Sequence, residues 1–117
     1  YQVALHLDPQ YAKGHYNLGQ AYMRLQRFDE ALASLGEAKK RSPEDVEINY
    51  SIGLLHARAG DFARAAEALA VAVEGRPEFL DARRKLAVAY LKTGKVEESK
   101  RELAVIQKIK EEGEKDE

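Results

Sequence analysis

The chain has 117 residues, of which 44% are apolar and 33% charged, a balance that suits soluble, helix-rich packing and argues against disorder. Its formal net charge is −1, so no overall basic field draws in nucleic acid or an anionic membrane surface. Cysteine is absent, which removes disulfides, thiolate nucleophiles and cysteine-held metals, and no apolar run approaches the ~20 residues that span a bilayer. These properties suit a soluble protein without membrane insertion and leave the compartment undetermined, with the cytoplasm slightly favoured. The opening Tyr1-Gln2-Val3-Ala4-Leu5 reads as mid-helix, so the true N-terminus is expected upstream.

A helix tail over 1–7 is expected to end at Asp8-Pro9, because proline cannot continue a helix and restricts the residue before it. A helix over 12–25 follows, with Leu18, Gly19 and Tyr22, and breaks at Gln26-Arg27. The next, over 28–41, carries Phe28, Ala31, Leu35 and Ala38 and closes at Ser42-Pro43. The pair 45–59 and 62–75 repeats this order as Ile52, Gly53 and His56, then Phe62, Ala65, Leu69 and Ala72, closing at Arg76-Pro77. The pair 79–93 and 96–112 repeats it again as Leu86, Ala87 and Tyr90, then Val96, Ser99, Leu103 and Ile106. Gly60 and Gly94 suit the breaks inside the second and third pairs, where a helix ends cheaply in the left-handed conformation. No segment alternates with the period of a strand.

Pro9, Pro43 and Pro77 stand 34 residues apart, and every other column keeps that step. A fixed period of this length marks a repeat array, in which units stack on one another rather than wrap a single core. The units are 12–45, 46–79 and 80–113, preceded by a half unit 1–11 and followed by a polar tail 114–117, all in one domain. Spacings of three, four and seven between the columns give each helix one apolar face. The small residues Gly19, Gly53 and Ala87 mark where two helices approach closely.

Leu18-Gly19-x-x-Tyr22 followed by Ala31, Leu35, Ala38 and Pro43 resembles the tetratricopeptide repeat (TPR), as do the two later units, and the resemblance spans essentially the whole chain. It implies an all-α, right-handed α-solenoid of stacked antiparallel helix pairs. The chain departs from the family pattern at His15, Asn49 and Arg83, where an aromatic is expected near the start of each first helix. In the last unit Ser99 and Ile106 replace alanines, and Glu111 stands where proline would recur. That unit reads either as a terminal cap with a polar outer face or as a charged, frayed end.

TPR arrays curve so that the first helix of each unit lines a concave groove, and the resemblance places one stripe of side chains there. In the first unit it holds Lys13, Tyr16, Asn17, Gln20, Met23 and Arg24; in the second Glu47, Tyr50, Ser51, Leu54, Ala57 and Arg58; in the third Asp81, Arg84, Lys85, Val88, Leu91 and Lys92. Cations beside aromatic faces over an apolar floor suit a peptide or protein segment carrying acidic groups. Asn17 and Gln20 suit hydrogen bonds to a peptide backbone. The recurring cation Arg24, Arg58 and Lys92 also sits near a helix C-terminus, where the helix dipole alone favours it by about 0.3–1 kcal/mol. Leu54, Val88 and Leu91 could equally cover neighbouring helices. The clamp by which some TPR domains hold chaperone C-terminal carboxylates implies Lys or Asn where Tyr16, Gln20 and Ser51 stand, and cations at Asp81 and Lys85. Only Lys85 keeps the charge. With the clamp shifted one unit upstream, Asn17 fits but Glu47 and Ser51 do not, so that mode is disfavoured.

No pattern in the chain carries chemistry. His6, His15 and His56 lack metal-ligand spacing, and His15 and His56 fall in packing columns. Ser34, Ser42, Ser51 and Ser99 have no nucleophile motif, Glu97-Glu98 and Glu111-Glu112 are adjacent rather than facing, and the eight glycines are spread singly. No active site, metal or cofactor is expected. Three readings remain open: an interaction scaffold; a homotypic assembly module stacking through Val3, Ala4, Leu5 and Leu7; and a regulatory or substrate-recruiting arm of a larger enzyme. Nucleic-acid binding is disfavoured by the net charge and by Glu47 and Asp81 in the stripe.

Overall fold

The computed structural model describes residues 9–115, over which helices alternate with short turns and no strand occurs. In chain order the helices are α1 (Pro9–Arg24), α2 (Phe28–Arg41), α3 (Val46–Arg58), α4 (Phe62–Gly75), α5 (Leu80–Lys92) and α6 (Val96–Lys115). The tail helix expected over 1–7, with Val3, Ala4, Leu5, His6 and Leu7, lies outside the described residues, as do Asp116 and Glu117. Pro43 and Pro77 sit in the turns between pairs, as expected, but Pro9 opens α1. Its fixed φ and missing N–H fit the first turn of a helix, and α1 so begins before the helix start expected at 12. The last helix likewise passes its expected end at 112 and runs to Lys115.

One residue in the left-handed conformation makes the break inside each pair: Gln26 at φ +61°, Gly60 at +85° and Gly94 at +82°. The next amide then returns to the helix it leaves. Arg27 N–H donates to Tyr22 O at 2.9 Å, Asp61 N–H to His56 O at 2.8 Å and Lys95 N–H to Tyr90 O at 2.8 Å. This closure satisfies carbonyls that the helix end would otherwise leave open. The following helices gain caps where the sequence supplies a carboxylate: Asp61 accepts from Arg64 N–H at 3.2 Å, and Asp45 from Ile48 N–H at 3.0 Å.

Within each repeat the two helices pack as a pair, α1 on α2, α3 on α4 and α5 on α6, while α2 on α3 and α4 on α5 join one pair to the next. Two apolar clusters result. Ala31, Leu35 and Ala38 of α2 meet Ile48, Ile52 and Leu55 of α3, and Ala65, Leu69 and Val73 of α4 meet Ala82, Leu86 and Ala89 of α5. The glycine columns explain how closely the pairs approach. A Cβ on Gly19 would stand 2.7 Å from Leu35 Cγ, and one on Gly53 the same distance from Leu69 Cγ. Leu35 and Leu69 are fully buried as a result.

Two members of the aligned columns depart from their partners. Leu103, in register with Leu35 and Leu69, is 53% exposed. Ala87 carries the methyl group that Gly19 and Gly53 lack, and among the described residues no helix follows α6 to cover it. Leu18, in register with the buried Ile52 and Leu86, is 44% exposed. Those two pack on the second helix of the preceding pair, and the residues that precede Leu18's own pair lie outside the described ones. Ser99 fits its alanine column because its buried hydroxyl donates to Ala87 O at 2.8 Å. Ile106 is buried where the other repeats have alanine.

The column at 15, 49 and 83, where the family pattern expects an aromatic, ties down the inter-repeat turns. Asn49, fully buried, donates through Nδ2 to Pro43 O at 3.0 Å and to Asp45 O at 2.8 Å. Arg83 donates through Nε to Pro77 O at 2.7 Å, and its Nη1 reaches Glu102 on α6 at 2.7 Å. His15 instead lies against the Tyr11 ring, with centroids 4.4 Å apart.

Candidate functional site

The first helices α1, α3 and α5 stand side by side. α3 meets α5 directly, and Gln20 Nε2 on α1 donates to Ser51 Oγ on α3 at 2.7 Å. Two open clefts run between them. The cleft between α1 and α3, of about 330 Å³, is lined by Ala12, Lys13, Tyr16 and Asn17 on one side and by Ser42, Asp45, Glu47 and Ile48 on the other. The cleft between α3 and α5, of about 500 Å³, is lined by Tyr50 and Ala57 facing Asp81, Arg84, Lys85 and Val88, with Phe62 of α4 at one end.

Of the stripe read from the sequence, Lys13, Tyr16, Asn17 and Glu47 therefore meet in the first cleft, and Tyr50, Arg84, Lys85 and Val88 in the second. Gln20, Leu54, Arg24, Arg58 and Lys92 line neither. Gln20 is engaged by Ser51, Leu54 is half-buried, and the three cations stand at the C-terminal ends of their helices. Two of those cations have aromatic partners one repeat back. The Arg58 guanidinium lies 4.4 Å over the Phe28 ring, and Lys92 Nζ 5.9 Å over Phe62. Sequence reasoning missed Phe62 and Asp45 as lining residues, because it confined the face to first helices. The recurrence of a cation 30 positions after Phe28 and after Phe62 was the available signal for Phe62.

The clefts differ in charge. In the first, Glu47 is held by Arg76 Nη1 at 2.9 Å and Asp45 caps α3, so two carboxylates face the single cation Lys13. In the second, Arg84 Nη1 pairs with Asp81 at 3.1 Å, and Lys85 has no carboxylate partner among the described residues. Burial, aided by Asp81 and then Glu47, raises the Tyr50 hydroxyl above its ordinary value, which keeps it a neutral donor. Its ring rests on Phe79 with centroids 4.6 Å apart.

The first helices together carry Lys13, Arg24, Arg58, Arg83, Arg84, Lys85 and Lys92, against only Glu47 and Asp81. Arg83 turns away to Glu102; of the other six, Lys13, Arg84 and Lys85 line the clefts, and Arg24, Arg58 and Lys92 end their helices. Among the described residues no helix is long and apolar enough to cross a membrane, and no group of acidic or histidine side chains stands close enough together to hold a metal ion.

No curated protein matches the chain in sequence. Among solved structures, the crystal structure of MamA is similar with a TM-score of 0.82 at 24% identity, over 93% of this chain and 64% of that one. The first TPR of Spaghetti (RPAP3), bound to the HSP90 peptide SRMEEVD, is similar with a TM-score of 0.80 at 21% identity, over 90% of this chain and 83% of that one. The chain thus spans less than two-thirds of the MamA structure, and identities this low establish the fold alone. Family models described as tetratricopeptide repeat match residues 16–78 and 56–113, and one described as TPR repeat matches 1–26. Three helix pairs on a 34-residue step, matched by these models along the chain, make it a member of the tetratricopeptide repeat family.

Proposed function

We propose that this chain is a protein-interaction module that holds an acidic segment of another protein along the face formed by α1, α3 and α5. The observation that carries the reading is the separation of charge. In a chain of formal net charge −1, the first helices bear seven cations and two carboxylates, so the rest of the molecule is acidic. A surface that concentrates cations beside apolar clefts attracts and orients an anionic ligand even when the whole molecule is nearly neutral. A protein segment fits better than a nucleic-acid backbone, because Asp45, Glu47 and Asp81 interrupt the positive surface within the clefts themselves. The module acts by binding and has no catalytic part in this reading.

The test uses synthetic peptides of acidic, neutral and basic composition, with fluorescence anisotropy for parent protein and for Lys13→Glu/Arg24→Glu/Lys85→Glu. These three side chains are exposed and make no ion pair among the described residues, so helicity should be unchanged. Acidic peptides should bind the parent alone and lose affinity with rising salt. Equal binding to the triple variant would move the interaction off this face.

A further inference from the structure

Resting on that reading, the geometry points to the α3–α5 cleft as the anchor of the face: we propose that it takes a large apolar side chain of the partner with a carboxylate beside it. The two clefts offer different chemistry. The α3–α5 cleft combines an apolar floor with an unpaired charge. Val88 is 50% exposed there, the Tyr50 ring and Ala57 stand opposite, and Phe62 closes one end under Lys92. An aliphatic or aromatic side chain entering this space removes exposed apolar area on both partners.

The polar groups at its rim select the neighbour of that side chain. Arg84 is occupied by Asp81, but the Lys85 ammonium has no carboxylate partner among the described residues. A carboxylate next to the apolar anchor would reach Lys85 at the edge of a low-dielectric floor, where a charge-assisted hydrogen bond is stronger than in open water. The Tyr50 hydroxyl, kept protonated, is a second donor on the opposite wall. The α1–α3 cleft lacks such a surplus cation, since Asp45 and the Arg76-held Glu47 offset Lys13, and so gives the same carboxylate no comparable anchor. The anchor is therefore local, and the rest of the face contributes attraction at longer range.

The probe is an acetylated, amidated hexapeptide with Leu-Phe between two pairs of glutamates, titrated into ¹⁵N-labelled protein. Control peptides replace the glutamates by glutamines or the Leu-Phe pair by serines. The largest amide shifts should fall at Tyr50, Ala57, Lys85 and Val88, and either control peptide should bind at least tenfold more weakly. Lys85→Glu and Val88→Asp should each lose tenfold or more with an unchanged amide fingerprint, while Lys85→Arg keeps binding. Both positions are exposed, so the variants test the cleft and not the fold. Shifts centred on Lys13 and Asn17 would overturn the anchor while leaving the face as the binding surface. Shifts confined to α2, α4 or α6, no shifts at all, or full binding by Lys85→Glu would overturn the anchor, and the first two would also remove the face.

Discussion

His56 occupies a position that holds tyrosine in the flanking repeats, and its surroundings change with it. Arg27 lies 5.4 Å over the Tyr22 ring and Lys95 6.0 Å over Tyr90, whereas the corresponding place after His56 is taken by Asp61. Burial holds the His56 imidazole below its ordinary value of 6.5; Asp61 and Glu67 oppose the shift, and Arg64 and Lys39 reinforce it. The folded chain thus binds fewer protons at this site than the unfolded chain does. The stabilisation from neutral His56 is complete above pH 6.5 and is lost as pH falls through the folded value. His56→Tyr should flatten the fall in Tm between pH 7.5 and 5.5 relative to the parent, measured by circular dichroism. Identical pH slopes would mean that His56 titrates alike folded and unfolded. The column itself was legible as a packing position. The exchange of a cation–aromatic pair for a histidine–aspartate pair was not, because it needs two columns compared across the turn that joins them.

At the scale of a helix pair, the glycine columns decide how closely two cylinders approach. Gly53 admits Leu69, and a Cβ there would also stand 2.9 Å from Leu69 Cδ2 and 3.4 Å from Ala65 O. Gly53→Ala should therefore destabilise by about 1–3 kcal/mol through overpacking, despite alanine's better helix propensity. Chemical denaturation checks this. An unchanged midpoint would place the α3–α4 contact elsewhere. The third repeat already shows the outcome of such a change: with Ala87 in the column, Leu103 stands largely exposed and Ser99 bonds to Ala87 O instead. The sequence revealed the pairing, the breaks at Gly60 and Gly94 and the core columns because they recur. The columns alone did not separate Leu18 and Leu103, which are half exposed, from their buried partners, because burial depends on which helix packs against each position. It read Asn49 and Arg83 as departures from a pattern, since a side-chain bond to a proline carbonyl six residues back leaves no mark in hydrophobic periodicity.

Across the whole molecule, net charge is the wrong measure of what the surface attracts. Summed over the chain it is −1, yet the first helices are strongly cationic, and only the assignment of residues to faces reveals this. The same distinction separates two explanations of the column Arg24, Arg58 and Lys92. If these cations serve only the helix dipole, each is worth a similar few tenths of a kcal/mol to about 1 kcal/mol, because each ends its own first helix. If they join neighbouring repeats by stacking, their effects must differ. Arg58 lies 4.4 Å over Phe28, Lys92 lies 5.9 Å over Phe62, and Arg24 has no ring beneath it among the described residues. Single alanine variants should then rank by distance. Arg58→Ala should cost about 0.5–1 kcal/mol, Lys92→Ala less, and Arg24→Ala least. Equal losses at all three, each diminished by salt to the same degree, would return the column to helix-end electrostatics. A graded loss would mean that one side of the column ties repeat to repeat, leaving Arg24 and Lys85 as the cations whose removal reports on ligand binding without disturbing the stack.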